Sequence, residues 1–170
     1  MYGNGNAGEI MNTLIASFGY VGYMRPASGT WGSAAAIPFA WLLYLAGGAP
    51  LLAIGAVVAY FGGWYATKQH IADGDDHDPS EVVIDEVVGQ WIALLPVAVG
   101  ASHAGVSFWA LWPGILTAFF AFRLFDIWKP GPIGWADRRG DATGVMLDDV
   151  FAGIAAAIVV GLAAWAFHGL

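Results

Sequence analysis

The charges of this chain are gathered into a few short stretches, and that spacing constrains its fold more than any other feature. Of 19 charged residues in 170, Glu9 and Arg25 stand near the start, eight fall between Lys68 and Glu86, and nine between Arg123 and Asp149. The stretches 26–67, 87–122 and 150–170 carry no charge over 42, 36 and 21 residues. A bilayer-crossing helix needs about 20 mostly apolar residues, so the first two runs each hold a helical hairpin and the third a single span. With 58% apolar and 11% charged residues, against roughly 45–50% and about 25% in soluble domains, the chain has too little polar surface to cover a core in water. A formal net charge of −7 argues against nucleic acid as a partner. The absence of cysteine excludes disulfides, thiolate metal sites and cysteine nucleophiles. The first residues lack the basic, apolar and small-residue succession of a secretory leader, so none is expected.

Helix breakers divide the apolar runs. Gly47-Gly48-Ala49-Pro50 interrupts the first, and Gly100-Ala101-Ser102-His103-Ala104-Gly105 the second. The expected fold is all-α: a compact integral-membrane bundle of about five hydrophobic helices, near 30–47, 50–67, 82–100, 105–127 and 146–167. In segment 9–18, Ile10, Met11, Leu14, Ile15 and Phe18 lie along one face, predicting a short amphipathic helix on the interface or capping the bundle. One domain over residues 1–170 accounts for the length. Two hairpins and one span bring every charged segment to one side of the membrane, including all six Lys and Arg; the positive-inside rule assigns that side to the cytoplasm. The competing arrangement is a bundle whose helices embed without crossing, with Pro38, Pro96 and Pro113 interrupting short spans. Nine tryptophans serve as interfacial anchors or as contacts in a homo-oligomer, and the sequence leaves both open.

Four polar clusters share the charged end. The third helix must begin near Ser80 or Val82 to reach across, which carries Asp85 and Glu86 into its first turns and sets Gln90 on the face of Glu86. Ionisable residues at membrane depth are costly and face a partner or a watery site. Asp148 and Asp149 lead the last helix, with Gly153 one turn on to admit a close neighbour. Arg123, Asp126 and Lys129 end the fourth helix, where Pro130 and Pro132 stop it. Ser28-Gly29-Thr30-Trp31-Gly32-Ser33 opens the first helix, where free N–H groups and the helix dipole suit a phosphate. The carboxylates Asp85, Glu86, Asp126, Asp148 and Asp149 are hard oxygen ligands of the kind Mg²⁺ prefers, and Arg123 and Lys129 are anion partners. Each cluster has a structural reading too: Glu81 as a helix cap, Asp126 in an ion pair, Asp75, Asp76 and Asp78 as solvated loop acids, Arg138 and Arg139 as lipid-surface anchors. The four histidines show no ligand spacing. It is the convergence of clusters that points to phosphoryl chemistry on a lipid headgroup.

These residues resemble the bacterial phosphatidylglycerophosphatase A family. Gly29-Thr30-Trp31-Gly32-Ser33 resembles its PGTxGS segment, with Ser28 where the family usually has Pro. Asp85-Glu86-Val87-Val88-Gly89 is similar to DExxG. Phe122-Arg123-Leu124-Phe125-Asp126-Ile127-Trp128-Lys129-Pro130-Gly131-Pro132-Ile133 and Gly144-Val145-Met146-Leu147-Asp148-Asp149-Val150-Phe151-Ala152-Gly153 resemble FRxFDxxKPxPI and GxMxDDxxAG, in the same order. The resemblance implies a multi-pass, Mg²⁺-dependent phosphatase of the bacterial cytoplasmic membrane, with its site facing the cytoplasm. Its substrate would be phosphatidylglycerophosphate and its products phosphatidylglycerol and phosphate.

On general metal-ion logic, Asp85, Glu86, Asp148 and Asp149 hold Mg²⁺, and Asp126 or Glu86 orients or deprotonates water. Lys129 and Arg123, with Thr30 and Ser33, hold the phosphate. Direct attack by a carboxylate fits the same residues. The alternative from another class is a small membrane transporter or channel subunit for divalent cations, its pathway lined by the same carboxylates. Against it, the far half of every span is apolar.

Overall fold

The computed structural model describes residues 7–72 and 79–168, and every regular element among them is helical. The expected loop acids Asp73, Asp75, Asp76 and Asp78 lie outside the described residues. A short helix α1 (Ala7–Ala16) precedes the long α2 (Ser28–Ala72), followed by α3 (Ile84–Ala104), α4 (Trp112–Trp128), the short α5 (Pro132–Asp137) and α6 (Ala142–His168). Single 3₁₀ turns stand at Val21–Tyr23 and Phe108–Leu111.

The expected break in the first apolar run is present. Gly48 has φ 67 and ψ −163, a backbone region that essentially only glycine enters. There α2 doubles back. Leu43 of the first arm packs on Gly55 of the second, and Gly32 and Gly63 both meet the start of α3, at Val83 and Ile84. Among the described residues four helices are long and apolar enough to cross a membrane; with α2 folded in two, the bundle has the five apolar passages the sequence predicts.

The outside of the bundle is as oily as its inside. Phe39, Leu45, Val58, Phe61, Phe120, Leu124, Ile158 and Leu162 are exposed, whereas many core positions are alanines: Ala36, Ala40, Ala66, Ala93, Ala98, Ala118, Ala152 and Ala156. Small residues inside and large apolar residues outside are the pattern of helices packed in lipid, where close backbone approach replaces hydrophobic burial as the cohesive term. The chain is a membrane protein on that pattern. On α1, Ile10, Met11 and Leu14 are exposed while Ile15 and Ala16 turn to the core, so its apolar face is shared between bundle and surroundings.

Several boundaries differ from the sequence expectation. The fourth helix, expected from 105, begins at Trp112 after the 3₁₀ turn Phe108–Leu111, and the second arm of α2 runs to Ala72, past 67. The third helix begins at Ile84, not at Ser80 or Val82, because the Val82 and Val83 N–H groups bond to Pro79 O and to Ala16 O of α1. It gains its length at the other end, running to a left-handed cap at Gly105 (φ 63). Glu81 is therefore no cap of α3; it pairs with His70 at 3.4 Å. Pro132 does not only end α4: it occupies the first turn of α5, where its missing N–H costs nothing. Finally, α6 starts at Ala142, four residues early, because Asp141 caps it through Gly144 N–H at 2.7 Å.

Candidate active site

Close helix crossing creates the site. Gly89 of α3 lies against Asp149 of α6: an added Cβ would stand 2.6 Å from the Asp149 carbonyl and 2.8 Å from Phe122 Cζ. Gly153 meets the Gly89 backbone in the same way, so the neighbour that the sequence leaves unnamed at Gly153 is α3. The paired glycines bring the acids one turn away on each helix together. One ligand oxygen from each of Asp85, Glu86 and Asp149 lies within 4.8 Å of the others. All three are deep: Asp85 is 7% and Asp149 2% exposed, and the Glu86 side chain 15%. Oε2 of Glu86 and Oδ1 of Asp149 are buried without a hydrogen-bond partner. Ionised carboxylates crowded and dry in this way are costly unless a cation joins them, so the donor set suits a hard divalent ion.

Cationic groups flank the triad on two sides. Arg123 Nη1 lies 2.5 Å from Asp126 Oδ2 and 3.9 Å from Glu86 Oε1. It also reaches Ser33 Oγ at 3.5 Å, and that hydroxyl donates to Gly29 O at 2.8 Å. Gly29 lets the Glu86 carboxylate come close: a Cβ there would push that carboxylate aside and stand 3.0 Å from Arg123 Nη1. On the other side Lys129 ends α4 in a left-handed conformation (φ 50, ψ 51). Its ammonium donates to Asp148 Oδ2 at 2.8 Å and to Asp137. Asp148 Oδ1 accepts the Asp149 N–H at 2.9 Å, so Asp148 is tied to Lys129 and stands beside the triad, not among its three grouped oxygens. Burial alone would lower the Lys129 pKa, but its hydrogen bonds to Asp137 and Asp148 outweigh that and hold it above the ordinary lysine value.

A cavity of about 220 Å³ opens onto these groups, with Asp85, Glu86, Asp126, Lys129, Asp148 and Asp149 in its wall together with Asp137 and Ser28. Ser28 belongs to the turn, at the start of α2, that the sequence assigns to a phosphate. Asp137 is the wall residue the sequence misses: neither spacing nor periodicity reveals it, because it reaches Lys129 only through the reversal at Pro130-Gly131. Thr30 and Ser33 are outside the cavity wall: Thr30 is half-buried, and Ser33 is buried behind Arg123.

Similarity to known proteins identifies the family. A family model described as phosphatidylglycerophosphatase A matches residues 14–164. The chain is 37% identical to a phosphatidylglycerophosphatase A of Haemophilus influenzae over 88% of this chain and 86% of that protein. It is 35% identical to the protein of that name from Escherichia coli, over 76% and 69%. A putative phosphatidylinositol-3-phosphatase of Bacteroides thetaiotaomicron is 36% identical over 76% and 72%. No solved structure matches. The match runs through every element that builds the carboxylate triad and its flanking cations, and on it the chain belongs to the phosphatidylglycerophosphatase A family, a family of phosphatases.

Proposed function

We propose that the chain is a Mg²⁺-dependent phosphatidylglycerophosphatase, releasing the terminal phosphate of its lipid at the cytoplasmic face of the bacterial inner membrane. The observation that carries this reading is the Asp85–Glu86–Asp149 triad sharing one cavity wall with Lys129, with Arg123 paired to Asp126 and Glu86 behind that wall. Asp85, Glu86 and Asp149 are the residues that would hold the metal, which when bound would offset phosphate charge and favour attack on phosphorus. Lys129, in the cavity wall, binds the phosphate and balances charge as it builds in the transition state; Arg123, paired with Asp126 at 2.5 Å, adds positive charge from behind the wall. Asp148 keeps the Lys129 ammonium aimed at the cavity. Asp126 shares the cavity wall with Glu86 and Asp149, and with Glu86 it is the candidate to orient the attacking water. Ser28 places the first turn of α2 at the cavity wall, where N–H groups and the helix dipole favour an anion. Thr30 and Ser33 then serve that turn and Arg123 from behind, without touching phosphate. The diacylglycerol chains rest on the apolar exterior while the headgroup reaches the rim.

The test is phosphate release by the purified chain from phosphatidylglycerophosphate, with and without Mg²⁺. Phosphatidic acid, phosphatidylinositol-3-phosphate and glycerol-3-phosphate serve as comparison substrates. Turnover is expected to require Mg²⁺ and to be fastest on phosphatidylglycerophosphate, and D85N and D149N are each expected to lose at least about 100-fold. Near-normal turnover in both variants would remove the triad from the chemistry. Turnover on phosphatidylinositol-3-phosphate alone would keep the chemistry and change the substrate.

A further inference from the structure

The Lys129 ammonium is held by two carboxylates of unlike standing. Asp148 is anchored: its side chain is 8% exposed, and its second oxygen accepts the Asp149 N–H. Asp137 is at the open edge, with a side chain 39% exposed, at the C-terminal end of a six-residue helix. The backbone beneath it is fixed, because Ile133, Gly134 and Ala136 are buried and Gly144 of α6 packs on the Ala136 carbonyl. Movement at this place therefore belongs to the Asp137 side chain. Both carboxylates and the ammonium line the cavity that the reading above gives to a phosphate. A phosphate dianion arriving there meets a lysine already neutralised, and the two anions cannot share it closely without repulsion.

Resting on that reading, we propose that Asp137 is a displaceable counter-ion: its carboxylate occupies Lys129 in the empty site, yields that ammonium to the substrate's phosphate, and returns to help expel the phosphate product. Asp137 is thus a positioning residue that sets anion affinity through Lys129. Its cost is weaker phosphate binding, and its benefit is faster release of the product anion.

The experiment measures binding of inorganic phosphate to the detergent-solubilised full chain by calorimetry, alongside KM and kcat on the phospholipid. D137N removes the charge while keeping shape and is expected to tighten phosphate about three- to tenfold, the scale of a single partly exposed ion pair. KM should fall in step without a rise in kcat. D137E should behave as the wild type, and D137S should reproduce D137N. In a K129M background, D137N should shift the phosphate Kd by less than about twofold, since the competition acts on that ammonium. Unchanged or weaker phosphate binding in D137N would overturn the proposal, as would an effect of equal size without Lys129. If D137N tightens phosphate yet no phospholipid is hydrolysed, the enzymatic reading fails and the counter-ion stands. Hydrolysis with phosphate affinity unmoved gives the reverse.

Discussion

At the scale of single residues, Lys129 joins the chemistry to the local backbone. Its φ of 50 is a left-handed conformation uncommon for a residue with a side chain, and it turns the ammonium off the α4 axis toward Asp137 and Asp148. Since its pKa is raised by those two partners, the ammonium is fully charged below the ordinary lysine value and gives up its proton only as pH climbs through the higher folded value. Lys129 thus stays charged across about pH 6–9, and any alkaline fall of activity within that window belongs to another group. K129R is expected to lower kcat while leaving the shape of the pH profile over that window unchanged; a displaced alkaline limb would show that Lys129 itself titrates there. K129M should cost about 10²–10³-fold in kcat/KM. The residues legible in sequence were those whose reason is local. Asp85, Glu86, Asp148 and Asp149 stand out as acids in the first turns of apolar helices, a position that demands a partner. Asp137 reads in sequence as one of several ordinary charges after Pro132, and its tie to Lys129 exists only after the reversal at Pro130-Gly131.

At the scale of elements, the site depends on where α6 begins and how closely it crosses α3. Asp141 accepts the Gly144 N–H at 2.7 Å and supplies the carbonyl for the first helical bond, from Val145 N–H. Removing that cap by D141A is expected to destabilise the solubilised protein by about 1 kcal/mol, read as a lower midpoint of thermal unfolding. The Asp141 pKa is lowered, by its hydrogen bond with Arg139 first and by the Gly144 N–H next. Its contribution is therefore complete above the unfolded carboxylate value and lost as pH falls through the lower folded one. D141N should retain most of the cap and lose that acid dependence. The Gly89–Gly153 crossing is less forgiving, since an added Cβ at Gly153 would stand 3.0 Å from the Gly89 Cα and carbonyl carbon, with backbone that cannot turn aside. Gly153 was readable as a place of close approach because it follows the acids by one turn; the start of α3 was not. A span-length argument puts that start at Ser80 or Val82, yet the chain there spends its N–H groups on Pro79 and Ala16. The short α5 escaped for a related reason: Pro132 reads as a stop signal, and the same residue is a favoured start.

At the scale of the whole molecule, the uncharged runs already contained the architecture. Five apolar passages with charge at alternate ends force the acids and cations onto one rim, and Gly48 with Gly105 make the tight far-side turns. Which way that rim faces is a separate question that packing does not answer. Applied to Arg25, Lys68, Arg123, Lys129, Arg138 and Arg139, the positive-inside rule predicts a rim that faces the cytoplasm. The absence of cysteine makes this directly measurable. In intact bacterial cells expressing single-cysteine variants, a membrane-impermeant maleimide should label A104C, at the exposed far-side turn. It should leave R138C, exposed on the rim, untouched until the membrane is opened. The reverse pattern would put the site on the outer face and require substrate to cross before hydrolysis. Equal labelling of both positions from outside would mean that the helices embed without crossing, and the bundle would then take its lipid from one leaflet while its far turns never leave that side.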